Sequence, residues 1–332
     1  MASDLVYYSL DDQINTFFQT YTSVTREQCD KYAASVASEP VTPEPIQGMW
    51  SYTVTAGTKR SIVQFRAPSS FLDMKLLALA RDTHGTVVAN CVYYGTIGQS
   101  MPLPVYVMEK LPGVPYVQVR PSPSPDRPMS PAAASRVINT VTDFARFFAS
   151  SWRNPQVMET SAIETLLTEY QQRLSLLAEA LPSRFAEKLS SVGAELPSLS
   201  SSPYPLVLSH GDLCGMNILV DHRTGHITGV VDWEDARILP FGFSLWGFEN
   251  VLGHMDSEGW HYYDNCDSLV SLFWQAFDRE VESVSDRQAI ALARSVGIFC
   301  RHGFAWEKGP WVPVDESNSS MKYVDAFFNT SV

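Results

Sequence analysis

His210-Gly211-Asp212-Leu213-Cys214-Gly215-Met216-Asn217-Ile218-Leu219-Val220, followed ten residues on by Val230-Val231-Asp232-Trp233-Glu234-Asp235-Ala236, carries more information than any other part of the 332-residue chain. Asp212 precedes Asn217 by five residues and Asp232 by twenty. Between the two segments Thr224-Gly225 predicts a hairpin turn, and Leu206-Val207-Leu208, Ile218-Leu219-Val220 and Ile227 to Val231 predict short apolar strands. The hairpin returns Asp232 to the neighbourhood of Asp212 and Asn217. An amide oxygen and a carboxylate are hard donors of the kind Mg²⁺ takes, one or two carboxylates being completed by phosphates and water. Asn217 and Asp232 therefore predict a magnesium site, which leaves Asp212 to accept the proton of an attacking hydroxyl. The set implies phosphoryl transfer from Mg²⁺-bound ATP. Asp and Asn also serve as turn and cap residues. The agreement of three polar residues, their spacing and their apolar flanks favours the site.

The pattern His-Gly-Asp-Leu, then Asn five residues after the Asp, then Val-Asp-Trp-Glu, resembles the aminoglycoside phosphotransferase and choline kinase superfamily. The resemblance implies an α+β fold, the bilobal protein-kinase-like fold with a small β-rich N-lobe and a large, mainly helical C-lobe. It places the N-lobe, with N-terminal helices and a nucleotide-covering sheet, in residues 1–107 and a hinge in 108–119. The C-lobe, with catalytic loop, metal site and acceptor pocket, takes 120–332. Asp212 is then catalytic, Asn217 and Asp232 hold the metal, and His210 braces the catalytic loop by hydrogen bonding.

The same resemblance gives the preceding segments their expected roles. Gln47 to Val54 stands where a strand turn would cover the phosphates, with Gly48 and Ser51 as contacts. One glycine replaces the usual glycine-rich run, so an ordinary hairpin turn is an equal reading. Ser61-Ile62-Val63-Gln64-Phe65-Arg66 alternates like a half-buried strand and ends in a cation, the phosphate-contacting position of the family. Asp73, or another acid early in the following helix, is the expected ion-pair partner of Arg66, while a surface arginine is the rival reading. Pro104 to Gly113 reads as a buried strand broken at Pro112-Gly113. There the backbone of Met108, Glu109 and Lys110 would read the adenine edge, unless the segment is only a core strand and turn.

Composition narrows the classes. A chain of this length that is 45% hydrophobic can bury a large core, and about two structural units are expected. A net charge of −12, with no basic run, argues against nucleic acid as a partner. Residues 1–8 lack the pattern of a secretory signal, and no apolar run approaches a membrane span, so a cytoplasmic protein without a membrane partner is expected. Five dispersed cysteines without a CxxC pair predict free thiols. His222 and His226 flank the hairpin turn rather than sharing a helix face, which disfavours metal binding there.

Residues 11–37 carry helical patterns, and 120–128 form a proline-rich loop. Val137, Ile138, Val141, Phe144 and Phe148, then Ile163 to Leu181, recur at helical spacing and predict core stripes. Beyond Asp232 the chain is rich in aromatic residues, most of them core. In the resembled family this region builds the acceptor pocket, and Glu234, Trp246, Glu249 and Asp264 are the candidates here. They suggest a hydroxylated small molecule, amine-bearing or aromatic, held by carboxylates and cation–π contact; a solvated acidic face is the equal alternative. Two functions follow. The favoured one is an ATP- and Mg²⁺-dependent phosphotransferase acting on a small-molecule alcohol. The other is a repurposed kinase fold, a nucleotide-binding partner or a metabolic enzyme without net transfer, supported by the glycine-poor turn and the unclear acid partner of Arg66. A protein-substrate kinase is disfavoured because 236–242 is too brief for a long activation segment.

Overall fold

The computed structural model describes residues 9–57, 61–124, 128–200, 204–281, 287–306 and 310–328. Sequence readings on 1–8, on 125–127 of the proline-rich loop and on 201–203 of the loop before the Leu206 strand lie outside these residues. The chain divides into two compact units, Met1–Leu111 and Pro112–Val332.

The first unit opens with helices α1 (Leu10–Tyr21) and α2 (Arg26–Ala37). Their starts are written locally: Ser9 caps α1, and Thr25 and Gln28 form a reciprocal capping box on α2. Strands β1 (Val41–Pro43), β2 (Ser51–Ala56), β3 (Ser61–Arg66), β4 (Cys91–Ile97) and β5 (Leu103–Glu109) follow, with α3 (Met74–His84) between β3 and β4. They form one antiparallel sheet of order β1-β2-β3-β5-β4. Period-two alternation buries Tyr52, Val54, Val63 and Phe65 in one cluster with Ile14, Phe17, Cys29 and Ala33 of the helices.

The second unit begins with β6 (Val114–Pro115) and α4 (Tyr116–Val119), then α5 (Pro131–Arg153), α6 (Thr160–Ala180) and α7 (Ala186–Glu195). Ser130 caps α5, and Pro131 occupies its first turn, where no N–H is needed. Val137, Val141, Phe144 and Phe148 line the buried face of α5, as expected. Ile138 does not, being 42% exposed, because one residue further on rotates about 100° around the helix. Four short strands come next, β7 (Leu206–Ser209), β8 (Ile218–Val220), β9 (Ile227–Val230) and β10 (Arg237–Pro240). The chain ends through α8 (Trp246–Glu249), the hairpin β11 (Gly253–Met255) and β12 (Trp260–Tyr262), and the helices α9 (Cys266–Glu280) and α10 (Arg287–His302). A last hairpin, β13 (Phe304–Trp306) and β14 (Trp311–Pro313), precedes α11 (Met321–Phe327).

The pairing of the four central strands explains the spacing of the polar motif. β7 pairs antiparallel with β10, and β8 with β9. The loop 210–217 runs from the first ladder to the second, and the loop 231–236 runs back. Both loops are thus clamped at both ends by the same two ladders.

Candidate active site

The expected turn lies where the sequence puts it. Asp221 Oδ1 accepts from the N–H groups of Arg223 and Thr224 at 2.9 and 2.8 Å, and Asp221 N–H donates to His226 O at 2.9 Å. His226 itself is tied to Asp143 through Nδ1 at 2.8 Å. Past the hairpin, Val231 N–H donates to Asn217 O at 2.9 Å, which locks the two polar loops together one residue before Asp232.

His210 is buried at the base of this arrangement. Its Nδ1 accepts from Asp212 N–H at 3.2 Å, so its proton lies on Nε2, which donates to Val231 O at 2.9 Å. Burial pushes the imidazole down to about 4, so the ring is neutral near pH 7. Its face packs on Trp233, whose indole N–H donates to Val230 O at 2.9 Å. His210 thus bonds both loops, 210–217 and 231–236.

Gly211 carries φ +83°, and a Cβ there would drive into Asp235 O. This position needs glycine for conformation and for space. From the opposite side α8 supports the loop, with Asn250 Nδ2 donating to Leu213 O at 3.1 Å.

Asp212 is a quarter exposed and held at both oxygens. Arg301 Nη2 donates to Oδ1 at 2.5 Å, and Asn217 Nδ2 donates to Oδ2 at 3.0 Å and to the Asp212 carbonyl at 2.9 Å. A carboxylate offers about four lone-pair directions, so room remains for a hydroxyl donor. The bonds from Nδ2 fix the amide orientation of Asn217 and leave Oδ1 as its oxygen donor. Asp232 is exposed, at the end of the 217–231 link, with φ +65°, a left-handed backbone that Asp tolerates better than most residues. Such backbone conformations concentrate at functional sites. An amide oxygen and one carboxylate on linked loops suit a hard cation that keeps phosphate and water ligands.

Other expected site residues have different surroundings. Arg66 is 3% exposed, and its guanidinium donates to Ser70 O and Oγ and to Gln64 Oε1 at 2.7 to 3.2 Å. Asp73 caps α3 instead, accepting from Lys75 and Leu76 N–H. The ion-pair role expected of Asp73 is replaced by this cap, because an acid just before a helix meets unpaired N–H groups first. Gly48 sits in the turn before β2, close to Ser51 Oγ, and the Gln47 amide pins that turn to Thr53.

The backbone of Met108 lies in register between Ile62 and Cys91, and Glu109 N–H donates to Asn90 O at 3.0 Å. Sheet pairing occupies these two residues. Lys110, whose Nζ reaches Glu44 Oε1 at 2.6 Å, makes no backbone hydrogen bond among the described residues.

Of the acceptor candidates, Glu234 is half-buried beside the loop and Asp264 is exposed. Glu249 is corrected to a structural residue. It is 0% exposed, ion-paired to Arg294 on α10, and accepts from Tyr262 Oη at 2.9 Å. Trp246 is 3% exposed, so its indole is largely core, with the Arg301 guanidinium over its ring at 5.2 Å.

The sequence reading passed over Arg301 altogether. It stands 89 residues from Asp212, and no local motif connects them. One signal was available: Arg294 and Arg301, seven apart on α10, share a face, and each pairs with an acid of the unit.

The sequence profile of the Phosphotransferase enzyme family (APH) matches residues 51–260. The chain belongs to that family, a family of phosphotransferase enzymes. Among solved structures, the chain is similar to aminoglycoside-3′-phosphotransferase of type VIII, at 17% identity over 82% of this chain and 98% of that one, with a TM-score of 0.50. It is also similar to a candidate aminoglycoside phosphotransferase from Ralstonia eutropha JMP134, at 12% identity over 88% and 86%, with a TM-score of 0.53. These likenesses give the kinase-like fold expected from the sequence, a small antiparallel sheet unit and a large helical one. No curated protein matches the sequence. Among the described residues no helix is long and apolar enough to cross a membrane.

Proposed function

We propose that this protein transfers the γ-phosphoryl group of ATP to a hydroxyl of a small molecule, with Asp212 as the catalytic residue. The observation that supports this most is the placement of Asp212: partly exposed, held at both oxygens, and joined to Asn217 and Asp232 through the 217–231 link. The acceptor O–H donates to Asp212, its oxygen attacks the γ-phosphorus, and the bond from phosphorus to the β-phosphate bridging oxygen breaks. The proton ends on the Asp212 carboxylate and ADP carries away the bond electrons. Little covalent work falls to the protein in such a reaction, so positioning and charge stabilisation dominate. Asn217 Oδ1 and Asp232 would hold Mg²⁺, which when bound neutralises phosphate charge. Arg301 and Asn217 keep the Asp212 carboxylate in one orientation, and neutral His210 holds the loop beneath it. Lys110, whose backbone N–H has no partner among the described residues, suits the adenine edge, with Gly48, Ser51 and Arg66 assigned to the phosphates.

Asp212→Asn tests the reading. Turnover should fall by about 10²-fold or more, the scale of general-base loss, while the Mg-ATP-dependent rise in the unfolding midpoint persists. Full activity in this variant would remove Asp212 from the chemistry. A second reading, a kinase fold without net transfer, draws support from Arg66, whose guanidinium is buried and tied to Ser70 and Gln64. It predicts that no hydroxylated acceptor raises ADP release above the acceptor-free rate.

A further inference from the structure

Next to Asp212 the second unit presents a continuous row of aromatic rings with a guanidinium at each end. Trp246 meets His302 edge-on at 5.5 Å, His302 stacks on Tyr323 at 5.0 Å, and Tyr323 packs against Trp260 at 5.7 Å. Arg301 lies over Trp246 at 5.2 Å, and Arg120 over Trp260 at 5.6 Å. Both cations act on the Tyr323 hydroxyl, whose pKa burial raises while the two arginines oppose the rise; Cys214 of the catalytic loop acts on it too. The row therefore meets the Asp212 carboxylate at its Arg301 end.

Two properties of the row point to its ligand. Arg120, which lies over Trp260, has no acidic partner among the described residues. Three buried nitrogens along the row, Arg301 Nε, Trp260 Nε1 and His302 Nε2, have no hydrogen-bond partner among the described residues. Buried polar atoms are nearly always satisfied, and a buried donor left unpaired is destabilising. The first two of these atoms can only donate. A ligand that completes the row must bring acceptor oxygens, and negative charge where the guanidinium groups stand.

Resting on the phosphotransferase reading above, we infer that the acceptor is a hydroxylated oxyanion, a carboxylate or a phosphate monoester. Its charged group engages Arg301 and Arg120 while its hydroxyl faces Asp212. Arg301 donates to Asp212 through Nη2 while its Nε has no partner among the described residues, so it adjoins both the carboxylate and the row. Polycationic amino sugars are selected against, because two fixed guanidinium groups would oppose their ammonium groups. The two arginines are specificity-determining residues in this arrangement.

The test uses the full chain saturated with Mg-ADP at constant ionic strength. Two sets of probes share a skeleton and differ in charge: glucuronate and glucose 6-phosphate against glucose and glucosamine, and 4-hydroxyphenylacetate against tyrosol and tyramine. Dissociation constants come from the tryptophan fluorescence of the row, and turnover is followed with ATP. Within each set the anion should bind roughly tenfold or more tightly than the neutral member, the effect of one charge-assisted contact, and the amine weakest. The two anionic sugars separate carboxylate from phosphate recognition. The double variant Arg120→Gln/Arg301→Gln should abolish the order, and Arg301→Lys should restore part of it, raising KM more than it lowers kcat. Amines binding as well as anions, no charge preference in either set, or a preference that survives the double variant each overturn the inference. The midpoint rise with Mg-ATP, recorded on the same preparation, separates the two levels. Its loss removes the phosphotransferase reading, whereas its presence without an anion preference removes only the oxyanion acceptor.

Discussion

His210 shows how one buried side chain ties pH to the geometry of the Asp212 carboxylate. Its folded pKa of about 4 lies below the ordinary 6.5 because the ring is desolvated. Between those values the unfolded chain binds the proton and the native one does not. The stability that this neutral ring contributes is complete above about pH 6.5 and is lost as pH falls towards 4, by roughly 3 kcal/mol at the lower end. Urea unfolding between pH 7 and pH 4.5 should show this fall, and His210→Gln should flatten it; an equal slope in the variant would dissociate His210 from the effect. Protonation of the native ring would also place a hydrogen on Nδ1, where Asp212 N–H now donates, so turnover of the folded protein should hold through the upper part of that window and decline only as pH nears 4. The three motif residues were legible because each sits in a short loop whose partners are near in sequence. Arg301 was not, since its bond to Asp212 is made by helix packing. Glu249 looked like a pocket acid because a sequence does not show which way an acid faces, and only the tertiary contact with Arg294 reveals it as core.

At the scale of elements, the 210–217 loop depends on tight approaches that any added atom would break. Gly211→Ala places a Cβ against Asp235 O at a left-handed backbone. It should destabilise the protein by about 1–3 kcal/mol and lower kcat more than it raises nucleotide KM, as steady-state kinetics can check. Glu249 and Arg294 join α8 to α10 in the interior. Removing either partner strands a buried charge, so Glu249→Ala should cost about 3–5 kcal/mol. Denaturant midpoints should show the double variant Glu249→Met/Arg294→Leu losing less than the sum of the single losses. Affinity for acceptor, measured on the folded fraction of Glu249→Ala, should not change. A weakened acceptor with unchanged stability would return Glu249 to the pocket. The strands around the loop were readable from their apolar runs, but the pairing of β7 with β10 was not, because non-local register leaves no mark in a single strand's composition.

For the whole molecule, two units and a kinase-like fold followed from the polar motif and the resemblance it carries, although the overall identity to solved relatives is only 17% or less in the two structures compared. Overall identity can fall this far within one fold because core positions accept many apolar residues of similar volume. The central claim, a magnesium-nucleotide site built on Asn217 and Asp232, is most directly tested by the unfolding midpoint of the protein with and without saturating Mg-ATP, beside Asp232→Asn. Asn keeps the left-handed backbone accessible, so a change in ligand response reports the lost carboxylate rather than a damaged loop. The account predicts a Mg²⁺-dependent stabilisation of about 2.7 kcal/mol at a hundredfold excess over the dissociation constant, sharply reduced in Asp232→Asn. The same rise in both proteins, or no rise in either, would contradict it.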